Sequence, residues 1–520
     1  MDVDVCIVGT GAAGGILAYR LARLGLATMS VDAGDVVPDS YFRTDEPQEA
    51  EQADQFNPFN AQASRLFADT PVSPADGFAQ HQILRVGGLQ NLWGGVSLRF
   101  SDYDFSGLGH STHAPPWPIT YDDLEPYYAD VEGLIGVTGA PEGNADLPDG
   151  VFIEPLPLNR LDRRIYKSLK AKPGLWSRVT ANRKAVETRP SRHNRCRRCG
   201  MCQNGCYSNS IYKFSSRLLP EIVDAPNYRL KANTVVQSIT CGADGKITGL
   251  RCFDRAKATH TTVTARRYVL CAGAIENAKI LLSSHTAEHS TGLANSSGLV
   301  GRHLMDNPNV VFVALHPRFL FTRKETYFGY GNHLLVPAQT SGDDGVETRY
   351  LADIYHGNPH LVPLFKRNLP KLLSRRLAER ITFGSSLMFL FGPAESHFDN
   401  RVEICDGQPR VFYNWTQRDR AVIGAIETQG RQMVRAVGGV FLGSYPGGPG
   451  DSIHYAGTCR MSSDPVAGVV DANLRSFDHR NLFICDGSVL PSLPEKHSAL
   501  TMMALASRLS AYLGSPQGRA

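Results

Sequence analysis

Two clusters in the 520-residue chain combine residue types and spacings that could do chemistry. The first is Gly9-Thr10-Gly11-Ala12-Ala13-Gly14, a GxGxxG turn followed 18 residues after Gly14 by an acid, Asp32. Glycines permit a tight turn and a close backbone approach to a pyrophosphate. The N-terminus of the helix that follows favours its charge, and a carboxylate at the end of the next strand accepts from a ribose hydroxyl. Gly9, Gly11, Gly14 and Asp32 therefore read as the adenosine diphosphate end of a dinucleotide site. The acid argues against a 2′-phosphate but does not separate FAD from NAD. The second cluster is Cys196-x2-Cys199-x2-Cys202-x3-Cys206, the local spacing of ferredoxin runs whose thiolates wrap an iron–sulfur cluster. Tyr207 stands where such runs have proline, and no second run exists to supply a partner cluster. Zinc on four thiolates and reduced or paired thiols bracing a loop are the competing readings. Arg192, His193, Arg195, Arg197 and Arg198 around the run would offset thiolate charge, meet an acidic partner, or form a solvated basic loop.

The elements that must position these residues are legible in outline. Residues 3–8, Val-Asp-Val-Cys-Ile-Val, read as a buried parallel strand. A helix is predicted from Ala12 to Leu24 and a second strand from Ala27 to Val31, ending at Asp32. Residues 35–80 are polar and irregular. Val86-Gly87-Gly88 to Phe100 is apolar and glycine-rich, and Tyr121-Asp122-Asp123-Leu124 reads as a helix start. Val235-Val236, Ile247 to Cys252 after an Asp244-Gly245 turn, and Arg266 to Leu270 read as strands. Residues 305–440 carry strand-like runs with few motifs, which suits a substrate lobe. Ser498 to Leu513 reads as an amphipathic helix.

Whole-chain properties bound the reading. Domains usually run to roughly 100–200 residues, so two or more lobes are expected. Charge is nearly balanced, 54 basic against 50 acidic side chains, and nothing calls for nucleic acid as a partner. Apolar stretches are broken before 18 residues, so no membrane span is expected. The first residues leave no room for a secretory leader, which points to a cytoplasmic protein. Eleven cysteines without such a leader make a disulfide framework improbable.

Distant segments in a fixed order resemble the glucose-methanol-choline (GMC) oxidoreductase family. The glycine turn resembles its N-terminal signature, and Val86-Gly87-Gly88-Leu89-Gln90-Asn91-Leu92-Trp93-Gly94-Gly95 resembles its second flavin-contacting loop. Trp117-Pro118 with Leu124 and Tyr127-Tyr128 looks like its entry to the substrate lobe. Val269 to Glu276 is similar to the strand and turn returning under the cofactor. Val300 to Pro308 resembles a signature that usually reads Asp-His-Pro, with Asp306-Asn307-Pro308 here. His454 to Met461 and Asp486-Gly487-Ser488 to Ala506 resemble the C-terminal catalytic signature.

The resemblance implies an α/β fold. A Rossmann-like FAD-binding domain with a parallel sheet and helices (1–110, 190–305, 445–520) would be interleaved with an α+β substrate domain built on an antiparallel sheet (111–189, 306–444). Val235 or Val236 would meet adenine through its backbone. Gly87, Gly88, Asn91 and Trp93 would line the isoalloxazine, Ala272 and Gly273 would pass under it, and Asp486 would hold the ribityl chain. Relatives that attach flavin covalently have a histidine where this chain has Leu92, so non-covalent FAD is expected.

A hydroxyl proton has a pKa near ~16, so a base must take it as hydride leaves for flavin N5, and histidine is the usual one. The resemblance gives His454 and His497 this task and leaves open which takes the proton. The implied activity is oxidation of a CH–OH group of a small polyol, a sugar, amino sugar or cyclitol. Oxygen, a quinone or a redox protein would reoxidise the flavin. The alternatives are a dehydrogenase subunit that passes electrons through the cysteine cluster, and a flavin protein without redox turnover such as a hydroxynitrile lyase.

Overall fold

The computed structural model describes residues 2–42, 61–70, 72–106, 114–172, 176, 178–190, 194–200, 202–206, 208–320, 334–341, 347–356 and 375–519. Arg192, His193 and Tyr207 lie outside the described residues.

The apolar run Val5–Val8 is the centre of a five-stranded sheet ordered Leu482–Ile484, Arg267–Leu270, Val5–Val8, Thr28–Val31, Tyr228–Lys231, with every neighbour parallel. A strand covered on both faces has no need of polar alternation, and all four of its residues are buried. The helix Ala12–Arg23 follows directly and lays Ile16, Leu17 and Leu21 on the sheet. The helix Tyr121–Ile135 begins at Thr120. There Thr120 Oγ1 accepts the Asp123 N–H, the Asp123 carboxylate accepts the Thr120 N–H, and Gly136 ends the helix in the left-handed region at φ +73°.

The C-terminal helix Ala499–Gly514 differs from the amphipathic expectation. It runs between the helices Ala12–Arg23 and Tyr121–Ile135, and Ala511 is its one exposed residue. Its serines and threonines are buried among the alanines and leucines. Tyr128 Oη lies 2.7 Å from Thr501 Oγ1, and Ser507 donates to Asp130 at 2.6 Å.

A second, six-stranded antiparallel sheet is ordered Val440–Pro446, Asn309–Leu315, Ser385–Phe391, Glu347–His356, Leu334–Ser341, Thr180–Ala181. Side chains alternate along each strand. Val310, Phe312, Ala314, Met388 and Leu390 face the helices Arg160–Lys170 and Gln417–Ala436. Val311, Val313, Tyr355, Leu387 and Phe389 face the 186–211 region and Trp93 on the opposite side. The three strands Thr234–Cys241, Ile247–Asp254 and Thr259–Val263 form a separate antiparallel sheet, with Gly245 at φ +76° in the expected turn. A parallel sheet with helices beside antiparallel sheets is the expected fold class. Among the described residues no helix is long and apolar enough to cross a membrane.

Candidate active site

The glycine turn is built for a close approach. Gly9 has φ +90°, and a side-chain carbon there would stand 2.6 Å from the Cys271 carbonyl oxygen. One at Gly14 would fall 2.0 Å from the Gly9 oxygen, so only glycine lets the helix sit this near the strand. At Gly11 nothing lies within 4 Å. Gly11 caps the helix without a side-chain hydrogen bond, and the first turn carries no acid, which leaves its N–H groups and positive dipole end to an outside anion.

Asp32 is buried, which raises its pKa. Its carboxylate accepts from the Thr10 N–H, the Thr10 hydroxyl and the Gly34 N–H. Thr10 Oγ1 in turn accepts the Gly87 N–H at 3.1 Å, and a side chain at Gly88 would meet Gly11 Cα at 3.5 Å. The second loop therefore stands against the first turn. Asn91 Nδ2 donates to the Val86 and Gly88 carbonyls, while its buried Oδ1 has no partner. Thr234 N–H donates to the Asp32 carbonyl, which brings Val235 and Val236 to the acid's end of the turn.

Across the track, Gly273 has φ +94° and open space where a side chain would be. Its N–H donates to Asp486 at 2.7 Å, and Ala272 N–H donates to Asn277 Oδ1 at 3.0 Å. Asp486 also accepts from Asn277 Nδ2 and from the Ser488 N–H and hydroxyl. Trp93 donates its indole N–H to the Tyr212 carbonyl at 2.7 Å. The expected cofactor residues thus come together around one cradle of open glycines, a bare helix N-terminus and an orphaned buried amide oxygen, and this donor set suits FAD.

The two histidines meet at its far end. His497 Nδ1 and His454 Nε2 are 3.2 Å apart, with ring centroids at 4.9 Å. The His454 segment is tied to the Asp486 loop by Gly457 N–H to the Gly487 carbonyl and Cys459 N–H to the Ser488 carbonyl. His454 Nδ1 lies 2.9 Å from Asn307 Oδ1. The buried Asp306 carboxylate accepts the N–H groups of Gly450, Ser452 and His454 at 2.8–3.1 Å. Burial raises its pKa to about 7 against the pull of those three donors. Burial, and then the neighbouring His497, hold the His454 pKa well below the usual histidine range, so its imidazole is neutral. On the other side, Asp353 Oδ2 lies 3.6 Å from His497 Nε2. Phe391 packs on both rings, at 5.6 and 5.1 Å. Lys496, fully buried, fixes the residue before His497 through Asp104 and Ser101.

Comparison with known proteins accounts for this arrangement. Residues 178–309 and 396–506 match the two family models described as GMC oxidoreductase. The chain belongs to the GMC oxidoreductase family. Over 98% of its length it is 27% identical to the fructose dehydrogenase large subunit of Gluconobacter japonicus, of which 97% is covered. It is also 27% identical to 6'''-hydroxyparomomycin C oxidase of Streptomyces lividus, over 98% of the chain and 91% of that protein. Paromamine 6'-oxidase of Streptomyces fradiae is 25% identical, with 97% of the chain and 90% of the relative covered. The fold is that of pyridoxine 4-oxidase from Mesorbium loti, at TM-score 0.62 and 19% identity over 98% of this chain and 99% of that one. GMC oxidoreductases use FAD, and this one is an FAD-dependent alcohol oxidoreductase.

The iron–sulfur expectation at the cysteine run finds no support in the described residues. Among the described residues no group of three or more His, Cys, Asp or Glu side chains could hold a metal ion, although all four cysteines are described. Cys206 Sγ lies 3.2 Å from Ser210 Oγ, and Cys196 Sγ accepts the Arg198 N–H at 3.4 Å. Burial raises the pKa of Cys196 to about 11 and raises that of Cys202 as well, with Lys184 pulling against it, whereas that of Cys206, though the thiol is buried, is lowered by Ser210 and Lys213. We read these contacts as those of thiols bracing a loop.

Sequence reading of this GMC oxidoreductase missed Asp353, Phe391 and the partnership of Asn307 with His454. Period-2 alternation over 347–356 and 385–391 was the available signal, since it places Asp353, Tyr355, Phe389 and Phe391 on one face. Asp353 thus stands opposite Phe389 and beside Tyr355 on that face.

Proposed function

We propose that the enzyme oxidises a CH–OH group of a small polyol, a sugar, amino sugar or cyclitol, to the carbonyl. The observation that carries this reading is the neutral imidazole of His454 beside His497, buried where the cofactor cradle meets the antiparallel sheet. Bound FAD supplies the hydride acceptor. The chain's own part is to hold the hydroxyl oxygen between the two histidines and to remove its proton, while Phe391 and its aromatic neighbours exclude water. Gly9, Gly11, Gly14 and Asp32 hold the adenosine diphosphate half, with the backbone of Val235 or Val236 at adenine. Gly87, Gly88, Asn91, Trp93, Ala272 and Gly273 hold the ring end, and Asp486 holds the ribityl chain. With Leu92 buried among Val37, Phe42, Leu66 and Ile83, no histidine stands there for a covalent bond, and FAD is held non-covalently. Residues 1–110, 190–305 and 445–520 act as the cofactor lobe, and 111–189 and 306–444 as the substrate lobe. The names of the relatives, which act on fructose, paromamine and a hydroxyparomomycin, support the polyol class.

The test is a panel of D-fructose, paromamine, myo-inositol and 2-methyl-1,2-propanediol mixed with the holoenzyme under nitrogen. Bleaching of the flavin band near ~450 nm by a sugar, amino sugar or cyclitol is expected. Bleaching by none of them, or by the simple diol alone, overturns the substrate class. Repeating the active mixture under air and with an artificial acceptor identifies how the flavin is reoxidised.

A further inference from the structure

The orientation of the Asn307 side chain follows from its own donors. Nδ2 donates to the buried carbonyls of Gly392 at 2.8 Å and Pro494 at 2.9 Å. A flipped amide would set its oxygen against both of these oxygens, lone pair to lone pair. Oδ1 is therefore the atom 2.9 Å from His454 Nδ1. An amide oxygen only accepts, so Nδ1 must carry the hydrogen, and a neutral imidazole has just one. An unconstrained imidazole prefers the opposite form, with its hydrogen on Nε2.

We propose that Asn307 is a positioning residue that fixes His454 as the Nδ1–H tautomer, so that Nε2 presents its lone pair to the substrate hydroxyl. The assignment rests on the reading of this histidine pair as the alcohol-binding site, and it divides the labour between them. In the resting site His497 Nδ1, 3.2 Å away, is the N–H donor to that bare Nε2. When a hydroxyl enters, its O–H bond breaks as an N–H bond forms at His454 Nε2, and its oxygen accepts from His497 Nδ1–H. The step is a proton transfer alone and needs no further reactant. Asn307 also anchors the rest of the pair. Pro494 lies three residues before His497, and the Asn307 carbonyl accepts the Ser452 hydroxyl at 2.7 Å, two residues before His454. Asn307 occupies the position where the family signature usually has histidine.

Nitrogen NMR of the FAD-loaded protein with isotope-labelled histidine tests this without substrate, the His454 signals being identified by their loss in His454→Ala. The expected wild-type spectrum has a protonated Nδ1 and a bare Nε2. Asn307→Leu, which removes the acceptor, is expected to move hydrogen to Nε2 and to slow flavin reduction by paromamine, or by whichever panel alcohol bleaches the flavin, about 10–10²-fold. Asn307→Asp keeps an acceptor and is expected to keep the Nδ1–H signature. Its carboxylate also favours the imidazolium, so the acidic limb of the rate profile moves to higher pH. A wild-type spectrum with hydrogen on Nε2, or an Asn307→Leu spectrum identical to wild type, overturns the proposal. If Asn307→Leu does not fold, the wild-type and Asn307→Asp spectra decide alone. His454→Ala reducing its flavin at the normal rate would instead remove the underlying base and leave the wild-type tautomer as measured.

Discussion

At the scale of residues, the surroundings of the proposed base His454 keep it neutral. Burial and the neighbouring His497 depress its pKa well below 6.5, and a general base must be unprotonated to act. The rate of flavin reduction by substrate is therefore expected to be flat at and above pH 6.5 and to fall only in more acidic solution, as anaerobic stopped-flow mixing across pH would record. His454→Ala is expected to lose about 10²–10⁴-fold in that rate with its FAD content unchanged. Asp306 gives a stability signal of a definite sign. Its folded pKa of about 7 lies above the ordinary 3.8, so between those values the folded chain binds more protons than the unfolded one. Its contribution is fully favourable below 3.8 and is lost as pH rises towards 7. Melting curves should show wild type losing stability relative to Asp306→Asn as pH goes from 4 to 8. A gap that does not change with pH would mean that the three amide donors keep the carboxylate ionised throughout.

At the scale of elements, the glycine turn separates what folds the protein from what binds its cofactor. A methyl group at Gly11 meets no protein atom within 4 Å, whereas one at Gly14 lands 2.0 Å from the Gly9 oxygen. On the proposed reading, in which the pyrophosphate occupies that space, Gly11→Ala is expected to melt like wild type as apoprotein and to lose at least roughly tenfold in FAD affinity. Gly14→Ala is expected to lose about 1–3 kcal/mol of apoprotein stability as the helix is pushed from the strand. Thermal melts of both apoproteins with fluorescence titration of FAD distinguish the two. This turn, its strands and Asp32 were legible because they lie within 32 consecutive residues and each is dictated by its neighbours. The burial of Ala499–Gly514 was not. An isolated helix sequence does not reveal that two other helices cover it, and its serines and threonines imitate a solvent face. Nor was Asn307 legible, since its partner His454 is 147 residues away and its orientation is set by two carbonyls from separate segments.

At the scale of the whole molecule, the question is what joins the cofactor cradle to the antiparallel sheet. Cys202 and Cys206 pack with Val186 and Ile211 against Val311, Val313, Tyr355 and Leu387 of the sheet, with Trp93 of the second loop at the edge. Trp93 is pinned to this region through the Tyr212 carbonyl, and Lys213 donates to the Gly205 carbonyl at 2.7 Å from its buried position. We read the ferredoxin-like spacing as a compact loop in which Cys196 Sγ accepts the Arg198 N–H, Cys206 Sγ lies beside Ser210, and small, soft side chains fill the joint. A thiolate cluster binding iron would need three or more sulfurs directed at one point; Cys196, Cys202 and Cys206 lie near enough for their charges to oppose one another's ionisation, but among the described residues no group of three or more is arranged to hold a metal ion. Protein purified anaerobically is accordingly expected to contain iron, acid-labile sulfide and zinc far below one per chain, and to reduce its flavin at the same rate before and after dialysis against a chelator. Stoichiometric iron with matching sulfide would show that the loop rearranges around a cluster, and the joint would then be an electron exit rather than a brace.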